Sequence, residues 1–161
     1  MNVIVGSKTV IRDYFAELYV AGSFADAGWN VYFPHRDKGF DFIVSKPDGA
    51  GGQILRPVQV KGKYATEEKG DKTAYGYVGR LSQLHPEMVL AIPFFPHGTS
   101  PAPSCIAYIP VSLIKPHKRG YRCHPCSFKG GIPAPRRGYA PFFDTKGLKL
   151  LESASWKDST I

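Results

Sequence analysis

A glycine-rich turn, Lys46-Pro-Asp-Gly-Ala-Gly-Gly52, separates two apolar runs of this sequence. Turn residues between two runs rich in β-branched and aromatic side chains predict a β-hairpin, here with strands at residues 40–44 and 54–61. Pro57 lies inside the second run and cannot donate a hydrogen bond to a neighbouring strand. We therefore expect an edge position or a bulge at Pro57.

Three polar residues interrupt the apolar pattern of this hairpin. Strand periodicity puts Asp41 on the face opposite Phe42, and it gives Gln59 and Lys61 a common face of the second strand. Neighbouring strands lie about 4.8 Å apart, so an acid, an amide and an amine meet if the polar faces of the two strands coincide. The register of the hairpin decides whether they do.

These residue types suit metal-assisted chemistry on a phosphodiester. The Asp41 carboxylate, the Gln59 side-chain oxygen and the Val60 carbonyl are the oxygen ligands that Mg²⁺ prefers. A bound Mg²⁺ (or Mn²⁺) would lower the pKa of its water and polarise a phosphoryl oxygen. Lys61 would orient the attacking water and offset the growing negative charge. The alternatives are structural: Asp41 at a strand start and Lys61 as a solvated strand-end lysine.

The remaining pattern predicts an α/β fold in which a mixed central sheet is flanked by helices. Ser7 is the predicted cap of a helix that runs to about Ala27, with an apolar arc that includes Tyr14 and Leu18. Glu17 lies just outside that arc, either as a site residue or as an ordinary acid on the helix flank. Further strands are expected at residues 30–33, 88–92 and 105–109, followed by a short helix at 111–114.

We expect one domain over residues 1–161. Its core covers about residues 6–114, and a basic extension rich in Pro and Gly covers about 115–161. This C-terminal segment is predicted to be irregular, anchored by Phe142, Phe143 and Trp156.

The charge distribution points to a polyanionic partner. The formal net charge is +8, and no acidic residue occurs between Glu87 and Asp144. Phosphate neutralisation favours nucleic acid as the partner, although a basic surface can also serve solubility alone. Tyr121, Phe128 and Tyr139 lie within the basic run and suit base stacking. The predicted nucleic-acid-binding residues are Lys63, Lys72, Arg80, Lys118, Arg119, Arg122, Arg136 and Arg137.

The residues around the hairpin resemble the PD-(D/E)xK nuclease superfamily, also called restriction-endonuclease-like. The likeness covers about Gly6 to Gly62 and runs through Glu17, Ala27-Gly-Trp29, Asp37-Lys-Gly-Phe-Asp41 and Pro57-Val-Gln-Val-Lys-Gly62. It is strongest to little-characterised bacterial members with a Val-Gln-Val-Lys strand and to group I intron homing endonucleases that use Gln. Archaeal Holliday junction resolvases share the helix glutamate but normally carry Glu-x-Lys.

The resemblance implies a restriction-endonuclease-like core of a helix, a hairpin-bearing mixed sheet and flanking helices. It makes Asp41 the principal metal ligand, Lys61 the catalytic lysine and Glu17 an auxiliary metal or water ligand. Gln59 then stands at the second acidic position. Because a neutral amide brings no charge, the affinity for metal should be lower than with Glu.

The cysteines and the N-terminal residues indicate the cellular compartment. Three cysteines cannot form a closed set of disulfides, and no secretory signal is recognisable, so we expect a cytoplasmic protein. No apolar run is long enough for a membrane span. Cys123-His-Pro-Cys126 looks like half a zinc site that His117 or Cys105 could complete, but no second CxxC follows and zinc is not expected.

Two functions from different classes follow. The first is a metal-dependent endonuclease that hydrolyses DNA, with RNA as the less favoured substrate, acting as a homodimer because one domain of this size cuts one strand. The second is a catalytically inactive nucleic-acid-binding module on the same fold. A role in protein interaction has no positive signal in the sequence.

Overall fold

The fold was analysed in a computed structural model that describes residues 3–36, 39–65, 77–81, 84–97 and 99–161, with side chains from residue 12 onward except that of residue 77. It is a mixed α/β structure. The α-helices are α1 (Val3–Asp26) and α2 (Asp144–Leu150), and 3₁₀ helices cover Val111–Leu113, Arg137–Phe142 and Trp156–Asp158. The strands are β1 (Asn30–Tyr32), β2 (Phe42–Pro47), β3 (Gln53–Val60), β4 (Lys63–Tyr64), β5 (Tyr77–Gly79), β6 (Val89–Phe95), β7 (Cys105–Pro110), β8 (Lys115–His117), β9 (Gly120–Arg122), β10 (Cys126–Lys129) and β11 (Ile132–Pro135).

The central sheet is mixed. β1, β2 and β3 form an antiparallel meander, β6 runs parallel to β3, and β7 pairs antiparallel with β6. β4 continues the line of β3 along the same edge of β6, because the amides of Lys61 and Ala65 donate to the carbonyls of Ala91 and Phe95. The predicted hairpin is confirmed, and its turn is held by Asp48, whose carboxylate accepts the amides of Ala50 and Gly52 at 2.7 and 2.9 Å.

Two apolar cores lie on opposite faces of this sheet. Phe42, Val44 and Val58 face the first core, which α1 and the C-terminal residues cover. Leu90 and Ile92 face the second core, which is covered by two small sheets, β5-β9-β8 and β10-β11. Among the described residues the molecule therefore has a helical layer, a central sheet and a layer of short strands, so the predicted flanking helices cover one face of the sheet and not the other.

The first helix differs from its prediction at two points. It begins at Val3, so Ser7 lies inside the helix and does not cap it. From residue 12 onward its buried residues are Ala16, Val20, Ala21 and Phe24, whereas Tyr14 and Leu18 of the predicted arc are exposed. Because α1 is apolar on most of its circumference, periodicity does not select a face, and the fit of Phe24 against Trp29, Phe42 and Tyr108 does.

Pro57 lies in a central strand and not at a sheet edge. Pairing of β3 with β6 begins only at Val58, while Pro57 pairs with Ile43 of β2. The missing amide of Pro57 therefore falls where that side of β3 has no neighbouring strand yet. The physical reason behind the prediction is correct, because the nitrogen of a proline must face a side of its strand where no hydrogen bond to a neighbouring strand is needed.

The prediction of an irregular C-terminal segment is wrong. Residues 115–135 form four short strands, and residues 144–150 form α2. Their apolar side chains are core residues: Cys126, Phe128 and Phe142 belong to the second core, and Leu151 and Trp156 to the first. Burial on both faces of the central sheet stabilises strands too short and too rich in proline to be recognised by periodicity.

A buried arginine holds the end of the chain on the central sheet. Arg56 is 3% exposed, and its Cζ lies 5.2 Å from the centre of the Trp156 ring. Its Nε and Nη2 donate to the carbonyl of Leu151 at 3.3 and 3.0 Å, and Nη2 also donates to Ser153 at 3.1 Å. Glu87 forms an ion pair with its Nη1. Arg56 therefore bridges β3, Glu87 and the segment after α2.

Gly147→Ala is expected to lower the free energy of unfolding by about 1 to 3 kcal/mol, because the new methyl overpacks a closed site. A Cβ at Gly147 would lie 2.6 Å from the carbonyl carbon of Phe142 and 2.9 Å from Cδ2 of Tyr108. Gly22→Ala is the matched control: Gly22 is in α1 with open space at its Cβ position, so stability should rise by up to about 1 kcal/mol. Urea unfolding of both variants checks this pair, and equal effects would contradict it.

Candidate functional site

Asp41 lies where β2 and β3 begin to separate. Its amide donates to the carbonyl of Val58 at 2.9 Å, one residue before the first strand pair, Phe42 with Val58. Its carboxylate Oδ2 accepts the amide of Val60 at 2.6 Å. The side chain thus takes the place of a backbone acceptor at the end of the β2–β3 ladder, and the register brings the acid beside Gln59.

Gln59 is buried, with 4% of its surface exposed, and its main chain lies in the parallel pairing with β6. Its side-chain Nε2 donates to the carbonyl of Gly39. Because a carbonyl only accepts, this contact requires the amide nitrogen on that side and turns the amide oxygen away from Gly39. The backbone of Gly39 is a partner that no sequence signal indicated.

Lys61 is half-buried and follows directly after β3, where the chain steps from β3 to β4. The preceding residue, Val60, belongs to the first core. Because successive side chains of a strand point to opposite faces, Lys61 lies on the same face as Gln59. In the described ranges it takes part in no ion pair. The register and the strand alternation therefore put Asp41, Gln59 and Lys61 on one face at one end of the hairpin.

Glu17 lies on α1, which packs on the opposite face of the central sheet. It is half-buried next to the buried Ala16, as its position at the margin of the helix predicts. Its part in the site stays a prediction. Asp37, which the family likeness includes, lies outside the described residues.

The donor set is compatible with a hard cation but carries little charge. A carboxylate, an amide oxygen and the Val60 carbonyl are ligands for Mg²⁺, and Asp41 is the acid among the described residues that would supply charge there. In the part of the chain that the structure describes, no three His, Cys, Asp or Glu residues are grouped so as to hold a metal.

The basic residues gather on the side of the sheet that carries Gln59 and Lys61. Arg80 follows β5, and Arg122 ends β9, which pairs with both β5 and β8. Lys118 and Arg119 form the turn between β8 and β9 and are exposed, as are Arg80 and Arg122. Val78, Ile114 and Cys123 attach this small sheet to the second core. We call Arg80, Lys118, Arg119 and Arg122 the basic sheet.

The other predicted contacts divide into three groups. Arg136 and Arg137 are exposed beside β11, and Arg136 Nη1 donates to the carbonyl of His124 at 2.8 Å. Lys63 is half-buried in β4, and Lys72 lies outside the described residues. Phe128 and Tyr139 are core residues with 2% and 8% exposure, so the expectation that they stack on bases is wrong.

The Cys-x-x-Cys segment is part of the second core. Cys105, Cys123 and Cys126 are free and buried. Burial raises the pKa of Cys123 to about 12, and the hydrogen bond that Cys105 donates to the neighbouring Cys126, together with burial, raises the pKa of Cys105. Burial, then Arg136 and Arg122, lower the pKa of His124. The thiols of Cys105 and Cys123 are therefore protonated at neutral pH.

Comparison with family models finds no match, and comparisons with curated proteins and with solved structures find no significantly similar protein. Of the helices in the described ranges, none has the length and apolar character that a membrane span requires.

Proposed function

We propose that this protein is a metal-dependent endonuclease that hydrolyses phosphodiester bonds, with DNA as the favoured substrate. The observation that carries the proposal is the register of β2 and β3, which sets Asp41 opposite Gln59, two residues before Lys61. An acid, an oxygen donor and an amine at one strand end are the groups that such hydrolysis needs. The sheet order, a meander followed by a strand parallel to β3, supports a restriction-endonuclease-like core.

The chain's own residues have distinct tasks in this proposal. Asp41, Gln59 and the Val60 carbonyl would hold Mg²⁺, and the ion would supply an activated water and charge stabilisation. Lys61 places a positive charge beside the scissile phosphate and offsets charge that develops on its oxygens. The amide of Val60 orients the carboxylate of Asp41 through their hydrogen bond.

The substrate backbone would lie along the basic sheet, which shares the face of Lys61. Exposed lysines and arginines neutralise phosphates and release counterions, so binding should weaken steeply with salt. Such contacts position a strand without reading its sequence. A homodimer would bring two sites to a duplex and cut both strands.

Lys61→Met is expected to slow nicking of supercoiled plasmid by on the order of 100-fold while folding is kept, because the positive charge at the site is lost. Nicking should need Mg²⁺ or Mn²⁺ and stop with EDTA. The matched control is Lys129→Met, which removes an exposed lysine from β10. Wild-type rates in Lys61→Met, or nicking that persists in EDTA, would reject the proposed site.

The second candidate is a nucleic-acid-binding module without catalysis. The contact of Gln59 with Gly39 favours it, because that amide already has a structural partner and adds no charge for a metal. Salt-sensitive DNA binding without nicking in either metal would support this module. The reversal of four charges in the basic sheet should then remove binding.

A further inference from the structure

The side of the central sheet that carries Gln59 is only partly covered. Along β3 the residues of that side become more exposed with distance from the candidate site: Gln59 is 4% exposed, Pro57 is half-buried and Leu55 is 57% exposed. Phe40, just before β2, still packs against the second core. The layer of short strands therefore ends close to Gln59, and it leaves one side of β1, β2 and the first half of β3 uncovered.

Large apolar side chains lie on this uncovered side. The register sets Tyr32 opposite Ile43 and Ile43 opposite Pro57, and residues directly opposite on paired strands point to the same side. Tyr32 is 56% exposed and Ile43 39%. Ser45, opposite Leu55, is only 4% exposed, so a shallow depression lies between the larger side chains. We call Tyr32, Ile43, Leu55 and Pro57 the open face.

The open face adjoins the candidate nuclease site. Ile43 lies two residues after Asp41, and Pro57 two residues before Gln59, so about 7 Å of strand separates them on the same side. Beyond Asp41, the residues of β1, β2 and β3 that face this side carry no charge. The basic sheet lies on the same side of the central sheet. A neutral apolar surface suits bases, and a basic surface suits the phosphates that join them.

The size of the open face favours nucleic acid over a second copy of the chain. Four large side chains that are about half exposed present roughly 400 Å², whereas each partner of a stable dimer buries about 800 Å². β1, the edge strand beside the open face, has three residues, which leaves little backbone for pairing with another chain. The surface is therefore too small for a dimer and suits contact with individual bases.

We propose that the open face binds the unpaired bases of a single DNA strand, with one base stacked on the ring of Tyr32 and the backbone on the basic sheet. This substrate class rests on the proposed function, whose site the open face adjoins. In a duplex the bases stack on one another, so their ring faces are not available to a protein surface. Negative supercoiling favours local opening, so a supercoiled plasmid offers such strands.

Binding of a dye-labelled oligothymidylate, measured by fluorescence anisotropy in EDTA, tests the open face without hydrolysis. The wild type should bind it more tightly than a duplex of the same length. Tyr32→Ala should weaken binding of the single strand about 10-fold, because the stacking ring is lost, and leave duplex binding unchanged. Tyr32→Phe keeps the ring and should bind like the wild type. The matched control is Tyr14→Ala, which removes a tyrosine of similar exposure, 60%, from α1 on the opposite face of the sheet.

Salt dependence separates base contacts from phosphate contacts. Tyr32→Ala should lower affinity without changing the slope of log affinity against log salt, whereas Arg122→Gln in the basic sheet should reduce that slope by about 0.7. Leu55→Ser is a second variant of the open face and should also weaken binding of the single strand. Tyr32 and Leu55 are exposed, so the thermal midpoints of both variants should match that of the wild type.

Three results would each overturn the proposal: wild-type affinity of Tyr32→Ala for the single strand, equal affinity of the wild type for single strand and duplex, or a dimer that Tyr32→Ala dissociates. Failure of the nuclease function is distinguishable from these. Single-strand binding that depends on Tyr32, without nicking in Mg²⁺ or Mn²⁺, would reject hydrolysis and keep the open face. Metal-dependent nicking with unchanged binding in Tyr32→Ala would reject the open face alone.

Discussion

Arg56→Ala is expected to lower the free energy of unfolding by about 2 to 4 kcal/mol, because charged hydrogen bonds are lost and a void opens. The guanidinium holds two carbonyls, those of Leu151 and Ser153, which would lose this partner in the variant. The alanine also leaves space against the ring of Trp156. Burial lowers the pKa of Arg56 to about 10, which still leaves the group charged at neutral pH.

Two variants identify the source of this effect. Arg56→Lys keeps the charge but not the planar fork, so it should recover only part of the loss. Glu87→Gln should cost about 1 kcal/mol or less, since Glu87 is one-third exposed and Lys157 also binds it at 2.9 Å. Urea unfolding measures all three. A loss below ~0.5 kcal/mol for Arg56→Ala, the size of an ordinary surface substitution, would contradict the bridging role.

Asp41→Asn is expected to reduce plasmid nicking by on the order of 100-fold or more while leaving the fold intact, because a principal metal ligand loses its charge. The asparagine oxygen can still accept the amide of Val60, the contact that closes the β2–β3 ladder. Asp41→Ala loses that acceptor as well. It should be equally inactive and also less stable, by about 1 to 3 kcal/mol.

The matched control is Asp48→Asn in the hairpin turn. Asp48 is exposed and also accepts backbone amides, which lower the pKa of its carboxyl. Its neutralisation should leave nicking unchanged. The two substitutions change net charge equally, so a difference between them reports on the site itself. Wild-type nicking by Asp41→Asn would remove Asp41 from the proposed chemistry.

The hairpin and its polar face could be predicted because their signals are local. The turn around Asp48 and the alternation of Asp41 with Phe42 can each be predicted from a few consecutive residues. The register that brings Asp41 to Gln59 also depends on turn length and on packing against β6. The side chain of Gln59 donates to the backbone carbonyl of Gly39. Because every residue has such a carbonyl, the residue type does not indicate this contact.

The predictions are wrong where packing between distant segments of the chain decides which residues are buried. The buried face of α1 could not be read from a helix that is apolar on most sides. The C-terminal strands are three or four residues long, so they show no usable period, and Pro133 and Pro135 in β11 mask them further. In the sequence, Phe128 and Tyr139 have the pattern of ligand-stacking residues, because the core that covers them is built from distant segments.

The bridge made by Arg56 joins parts of the chain that are 95 residues apart. During translation the hairpin leaves the ribosome long before Leu151 and Ser153 have been synthesised. Until then the guanidinium must remain hydrated, and the face of β3 that will receive Trp156 stays open. Closure of the helical layer is therefore a late event in biosynthesis, and a chain cut short before residue 151 would leave that surface available for aggregation.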